Sequence, residues 1–292
     1  MRPRQSRDPP AAFGNTPSVS LPSPAPGVPV VVTGASSGIG EALAAELAAR
    51  GHDLLLVARR RDRLRALARE LGERERVEVE IRPADLGDPE QRAALVAELR
   101  PRALAGLCNN AGLGSFGPYL DTEPGHLSAL VELNVAALND LTAAILPGLV
   151  ERGEGAVLNV ASILGHGPQP YNAAYAATKA FSIALSEAVH VELAGTGVSV
   201  TALSPGPVRT DIYAASNAED VRDVGPAILW QEPDEVARAG VDAMERGARA
   251  DVPGLINTVA AAGARYMPRT VSLPVQRAIG AALPDLRRVL RI

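Results

Sequence analysis

The sequence predicts an α/β fold: a doubly wound parallel sheet of seven strands flanked by helices, with a C-terminal helical extension. Three observations carry this. From Val28 onward, short β-branched runs alternate with alanine- and leucine-rich segments of helical period, which implies right-handed βαβ units. Apolar residues make up 47% of the chain, enough to supply strands that are buried on both faces. The first strand runs through a glycine-rich turn directly into a helix.

Strands are expected at 28–33, 53–58, 77–82, 103–108, 156–161, 198–203 and 249–253. Helices are expected at 38–50, 61–71, 88–99, 123–150, 172–194 and 233–246. Residues 1–27 are rich in Pro, Ser and Arg without periodicity and read as a disordered tail. The catalytic domain is assigned to 28–254 and the extension to 255–292. The tail lacks the apolar run of a secretory signal, and its prolines oppose the amphipathic helix of a mitochondrial address, so a cytoplasmic location is expected. No apolar stretch reaches 18 uncharged residues, the length a membrane span needs.

Composition narrows the chemistry. The net charge of −4 offers no basic footprint for nucleic acid. Cys108 is the single cysteine, and His52, His126, His166 and His190 lack metal-ligand spacing, so no metal is expected. Chemistry is left to hydroxyls, an amine or carboxylates, with an organic cofactor. Lys179 is the only lysine among 29 basic residues. Either it survives by chance in an arginine-biased composition, or its site demands a compact ammonium that guanidinium cannot replace.

The glycine turn reads Thr33-Gly34-Ala35-Ser36-Ser37-Gly38-Ile39-Gly40. Gly34 permits the tight turn, Gly38 lets backbone approach a pyrophosphate, and Gly40 allows close helix–sheet packing. The helix N-terminus then faces the anion. The spacing is G-x-x-x-G-x-G, giving a Rossmann-like dinucleotide fingerprint of its own kind. The second strand ends at Arg59-Arg60-Arg61, where NAD enzymes carry an acid for the ribose 2′-hydroxyl. At Arg59 a guanidinium would attract a 2′-phosphate, which favours NADP(H) over NAD(H). Arg60 and Arg61 read as a solvated helix start. Asp85 and Leu86 end the third strand, and Asn110 lies at the end of the fourth. Asp85 can accept from the adenine amino group, and Asn110 can contact the adenosine side and brace the sheet; for both, a capping or turn role is the alternative.

Tyr175 and Lys179 are four residues apart at the start of a long helix and share a face. A fixed cation beside a phenol favours phenolate, lowering its pKa by roughly 1–3 units from ~10. The pair is thus a tunable acid/base for an alcohol oxygen. Ser162 ends the fifth strand thirteen residues earlier, where it can donate to a substrate carbonyl. Asn134 interrupts an apolar helical run; it is either a core hydrogen-bonding residue or part of the site.

Together Thr33–Gly40, Asn109–Gly112, Asn134, Ser162, Tyr175–Lys179 and Pro205–Thr210 resemble the short-chain dehydrogenase/reductase family over about residues 28–254. The resemblance implies that Tyr175 is the proton donor, that Lys179 also holds the nicotinamide ribose, and that Ser162 orients the carbonyl. It implies that Asn134 anchors a water in a proton relay. It places Ser36, Ser37, Ile39, Val208 and Thr210 along the cofactor, the last two toward the carboxamide and pyrophosphate. Thr178 stands where a serine is frequent.

Residues 207–232 read as a substrate lid, with Ile228, Leu229 and Trp230 at its apolar end. Phe116, Ile163, Leu164, Pro170 and Tyr171 are candidate walls of a pocket for a small, largely apolar carbonyl or alcohol. The mixed apolar and basic residues of 255–292 can touch a membrane surface, cover the pocket or meet another subunit. Ala177, Phe181, Ala184, Leu185 and Ala188 face away from the Tyr175–Lys179 pair, so a homodimer or homotetramer is expected. The reading is of an NADP(H)-dependent oxidoreductase. A dinucleotide-binding regulator of the same fold is the alternative, and it has no need of the complete Asn134, Ser162, Tyr175 and Lys179 set.

Overall fold

The computed structural model describes residues 21–210 and 230–282. Seven parallel strands form one sheet: β1 (Val30–Thr33), β2 (Leu54–Ala58), β3 (Val79–Pro83), β4 (Gly106–Asn109), β5 (Gly155–Val160), β6 (Val198–Leu203) and β7 (Ala250–Asp251). Their order is β3-β2-β1-β4-β5-β6-β7. The order reverses between β1 and β4, which opens a crevice at the carboxyl ends of the strands. Every strand expected from the sequence is present within a few residues.

Helices α1 (Gly38–Ala49), α2 (Arg61–Glu75), α3 (Pro89–Leu99), α4 (Pro124–Val131), α5 (Leu138–Arg152), α6 (Ala173–Glu192) and α7 (Pro233–Glu245) cover the sheet. Alternate strand residues supply two cores. Val30, Val32, Leu54 and Leu56 pack with Leu43, Leu47 and Val241 on one face. Val31, Leu55 and Val57 pack with Leu99, Leu141 and Ile145 on the other. Local signals fix the helix ends. Asp88 caps α3 by accepting from the Glu90 and Gln91 amides, with Pro89 in the first turn. Gly153 closes α5 in the left-handed region at φ 74°.

Two features depart from the sequence reading. The ordered chain starts earlier than residue 28: Leu21 is buried in the core and the Gly27 amide donates to Asp53. The expected helix 123–150 is split by a π-helical segment, Glu132–Ala137, which contains Asn134. The run Pro124–Arg152 is long and apolar enough to cross a membrane by composition, yet Leu130, Leu141, Ile145 and Leu149 are packed inside the protein. The expected C-terminal helical extension is present as α8 (Leu255–Tyr266), which lies against the 3-10 turn Ile163–His166, followed by α9 (Arg269–Ala282). The expected tail up to residue 20, most of the expected lid with Ile228 and Leu229, and residues 283–292 lie outside the described residues.

A buried polar chain joins the sheet to α6. Asn109 and Asn159 are register partners on β4 and β5. Asn109 Nδ2 donates to Asn159 Oδ1 (2.9 Å) and Thr142 Oγ1 (3.0 Å), and Asn159 Nδ2 donates to Ser186 Oγ (2.9 Å). Ser186 and Ser182 continue along α6 by donating to the Ser182 and Thr178 carbonyls. Satisfied buried amides fix orientation because any other arrangement strands a polar group. This chain sets the rotation of α6 against the sheet. Asn159→Ala should lower the unfolding free energy by about 2–3 kcal/mol, since it strands Asn109 and Ser186. Urea unfolding measures it, and a loss below about 0.5 kcal/mol would show that the chain is not a structural lock.

Candidate active site

The glycine turn is held by β4. Thr33 Oγ1 donates to the Cys108 carbonyl (3.2 Å) and accepts from the Asn110 and Ala111 amides (2.9 and 3.0 Å). Asn110 Nδ2 donates back to the Thr33 carbonyl (3.0 Å). Asn110 is thus a brace across the crevice, and it also lines it. Gly34 and Gly38 adopt positive φ of 66° and 58°. A Cβ on Gly34 would meet Asn110 Nδ2 at 2.7 Å, and one on Gly38 would meet Thr210 Cγ2 at 2.9 Å. Gly40 has its Cα against the Gly34 carbonyl and Asn110, with no room for a Cβ. Ser37, the N-cap of α1, makes no side-chain cap bond, so the first-turn N–H groups are left to an anion.

Beyond this loop a cavity of about 280 Å³ is lined by Ser36, Ser37, Arg59, Arg60, Asp85 and Leu86 among others. Arg59 is exposed and its guanidinium lies 3.8 Å from the Asp85 carboxylate. Asp85 also accepts from the Gly87 amide (3.0 Å), closing a turn. Arg60 is exposed at the N-cap of α2, the helix start expected from the sequence, and its guanidinium also folds back over the glycine loop. Its Nε donates to Ser36 Oγ (3.0 Å), and its Nη2 donates to the Ser36 carbonyl (3.1 Å) and Ser37 Oγ (2.5 Å). Two guanidiniums therefore flank the cavity, one lying over the glycine loop. The sequence signal for Arg60 was the same triple arginine that pointed to Arg59.

The four residues expected at the reacting centre converge. Tyr175 is buried, with Phe116 stacked at a centroid separation of 6.5 Å and Lys179 Nζ 5.7 Å from its ring centre. Lys179 is 5% exposed and its ammonium donates to the Val160 carbonyl at the end of β5 (2.7 Å). Burial lowers its pKa to about 8, which leaves it mainly protonated at neutral pH. Ser162 caps the 3-10 turn, accepting from the Leu164 amide (3.2 Å). Asn134 lies across from them. Its Oδ1 accepts from the Leu113 amide and its Nδ2 donates to the Leu113 carbonyl, both at 2.9 Å. Nδ2 also donates to Thr178 Oγ1 (3.1 Å), whose hydroxyl donates to the Tyr175 carbonyl (2.8 Å). Asn134 is thus a buried hydrogen-bonding residue of the core, set behind the cavity against Thr178. Its side chain grips the strand-end loop, and the π turn shifts the helical hydrogen bonds around it.

Tyr175, Lys179 and Ser162 open on a cavity of about 230 Å³ walled by Phe116, Ile163, Leu164, Val208 and Trp230. Ile39 and Thr210 line this cavity and the adenosine-side one, so the two are continuous around the glycine loop. Of the expected walls, Pro170 and Tyr171 do not line it. Tyr171 is instead held at φ 67° with its carbonyl accepting from the Gly117 amide (2.8 Å), which ties the Phe116 loop to the start of α6. The sequence reading missed the brace behind Pro205-Gly206-Pro207. Gln231 Oε1 accepts from the Gly206 amide (3.1 Å), and Gln231 and Asn257 both donate to the Pro253 carbonyl. Asn257 of α8 leaves no space for a Cβ at Gly206. Its only sequence signal was a polar residue in an otherwise apolar helix start. Cys108 is buried beside Met244, and burial pushes its thiol up to about 12, so it is chemically silent.

Residues 29–221 match the family model of the short chain dehydrogenases. Sulfoacetaldehyde reductase 2 of Chromohalobacter salexigens is 37% identical over 195 residues, spanning 65% of this chain and 77% of that protein. A short-chain dehydrogenase from Sphingobium yanoikuyae, solved in complex with NADPH, has the same fold with a TM-score of 0.75 and 34% identity, over 88% of this chain and 96% of its own. The bulky-bulky ketone specific alcohol dehydrogenase of Comamonas testosteroni gives 0.70 and 28%, over 88% and 95%. A nucleotide-sized crevice at the switch point, a phosphate-ready glycine loop and these likenesses lead to one statement: the chain belongs to the short chain dehydrogenase family and is an oxidoreductase.

Proposed function

We propose that the protein interconverts a carbonyl and a secondary alcohol using NADP(H), with Tyr175 as proton donor and acceptor. The observation that carries this is the position of the only lysine, buried beside Tyr175 at the mouth of an apolar cavity that also holds Ser162. A buried ammonium is costly and is retained where it acts. The crevice fits a dinucleotide. Gly34 and Gly38 leave the backbone bare where side chains would collide, and the α1 N-terminus offers unpaired donors for the pyrophosphate. Arg59 and Arg60 would hold the 2′-phosphate, Asp85, Leu86 and Asn110 the adenosine side, and Val208 and Thr210 the nicotinamide end. When bound, the nicotinamide supplies or accepts the hydride.

The chain's own residues do the rest. Ser162 Oγ donates to the substrate oxygen and fixes it beside the Tyr175 hydroxyl. In reduction Tyr175 gives its proton to that oxygen, and in oxidation phenolate takes it back. Lys179 stabilises the phenolate by its charge and can turn from the Val160 carbonyl to the ribose hydroxyls. Asn134 and Thr178 hold the backbone of Leu113 and Tyr175, and Asn134 is the candidate anchor of a proton-relay water. The apolar walls exclude bulk water and favour a largely apolar substrate. The dehydrogenase from Sphingobium yanoikuyae was solved with NADPH, in line with the choice of cofactor.

Lys179→Arg should lose most turnover while remaining folded, because guanidinium does not fit between phenol and ribose. Oxidation in the wild type should rise with pH as phenolate forms. A second readout separates chemistry from burial. Lys179 has a folded pKa near 8, below its ordinary value, so the unfolded chain binds the extra proton between the two. Stability of the cofactor-free protein should therefore increase as pH rises from about 8 toward the ordinary lysine range, and Lys179→Met should flatten that rise. A folded Lys179→Arg enzyme with near-normal rate would overturn the assignment.

For the cofactor, fluorescence titration should show NADPH binding more tightly than NADH. Arg59→Ser and Arg60→Ser should each reduce the preference, by roughly ten-fold for loss of one charge-assisted pair. Equal affinity of the wild type for both cofactors would remove NADP(H) from the proposal. As for assembly, Ala177, Ala184 and Ala188 are exposed on α6, with Phe181 and Leu185 half-buried between them. A homodimer or homotetramer through this face is proposed. Sedimentation velocity at micromolar concentration should show it, and a ~30 kDa species alone would exclude it.

A further inference from the structure

We infer that the α8–α9 face is a peripheral membrane-docking surface for anionic phospholipid, placed beside the mouth of the substrate cavity. The first observation is that α8 is amphipathic with its apolar side outward. Asn257 and Ala261 are buried against the body of the protein. At helical spacing on the opposite side stand Leu255, Val259, Ala262 and Tyr266, exposed by 80% for Leu255, 65% for Val259 and 77% for Tyr266. In α9 the same inversion recurs. Ser272 is buried, and Ser272 Oγ and Gln276 Oε1 have no hydrogen-bond partner among the described residues, while Val271 and Val275 point to solvent. A helix pair with polar groups inside and apolar groups outside is arranged for a low-dielectric exterior.

Charge identifies that exterior. Residues 252–292 carry six arginines and a single acid, Asp285, in a chain whose net charge is −4. Arg265 is bound to Glu187 and thereby fastens α8 to α6, while Arg269 and Arg277 are exposed on α9, Arg269 donating to the Ala264 carbonyl at the end of α8. A two-fold contact between copies through this face would bring these like charges together. An anionic headgroup layer complements them, and the tyrosine and aliphatic side chains suit the interfacial zone below it. Neither helix, at 12 and 14 residues, is long enough to span a bilayer, and Pro274 interrupts α9, so the contact is in-plane. The consequence is functional. The α8 helix rests on the turn Ile163–His166, whose Ile163 and Leu164 wall the apolar cavity, so an apolar substrate dissolved in the bilayer would reach the cavity without crossing water.

The test uses the full chain and vesicles of phosphatidylglycerol and phosphatidylcholine in equal parts, with pure phosphatidylcholine in parallel. The protein should co-sediment with the anionic vesicles at low salt, at least ten-fold more tightly than with the neutral ones, and be released by high salt. Arg269→Glu with Arg277→Glu should weaken anionic binding at least thirty-fold, near the ratio expected for about 1 kcal/mol per basic residue. Leu255→Ser with Val259→Ser and Tyr266→Ser should abolish binding while NADPH binding in solution is retained. Absence of binding to anionic vesicles overturns the inference, as does equal binding to both kinds. So does an oligomer in sedimentation velocity that dissociates in the Leu255–Val259–Tyr266 variant, since a second copy would then be the occupant. NADPH binding reads the catalytic assignment independently of each of these outcomes.

Discussion

The interaction on which the site depends is the hydrogen bond from the Lys179 ammonium to the Val160 carbonyl. A charge this deeply buried must have a partner, and the Val160 carbonyl at the end of β5 supplies it. Because β5 is an interior strand, paired on both sides, this bond refers α6 to the hydrogen-bonded sheet. Tyr175 sits one turn earlier on the same helix face, so its ring inherits that position. Ser162, two residues beyond Val160, inherits it from the other side. The Tyr175 and Ser162 hydroxyls, the proposed acid/base and carbonyl-orienting groups, are thus registered to one strand terminus rather than to separate loops.

A single bond does not fix a helix, and the remainder of the polar core completes the restraint. Asn109, Asn159 and Ser186 stop α6 from rotating about its axis, while Thr178 and Asn134 stop its first turn from shifting along it. These groups are buried and mutually satisfied, so the arrangement has no near-degenerate alternative. On the cofactor side Thr33 and Asn110 perform the same function for the glycine turn. The two halves of the crevice are held by side chains of one strand end, Asn109 toward α6 and Asn110 toward β1.

Most of this was legible in the sequence because each signal was local. Strand, glycine turn and helix follow in order around Gly34–Gly40, and an i, i+4 pair places Tyr175 over Lys179 whatever the tertiary structure. Element order then gave the sheet. What was not legible depends on non-local geometry. Arg60 and Arg59 are adjacent in the chain, and nothing in composition tells which guanidinium folds back over Ser36. The π segment at Asn134 exists because the side chain is drawn to Leu113, twenty-one residues away, and helical periodicity is blind to such a pull. Tyr171 read as a pocket wall from its proximity to Tyr175, yet its left-handed backbone turns it into a clamp on the Phe116 loop.

The C-terminal helices extend the same logic of registration to the outer edge of the site. Through Asn257 and Gln231, α8 packs behind the Pro205–Pro207 segment, one wall of the catalytic cavity, and through Arg265 it is tied to Glu187 on α6. Those contacts hold the inner side of α8 against the cavity wall and leave Leu255, Val259 and Tyr266 on its outer side. A free helix would turn such a side inward. Here it cannot, because the wall behind it demands Asn257 in that position. The apolar exterior of α8 is therefore tied to the building of the cavity, and it is the face proposed to meet an anionic membrane surface.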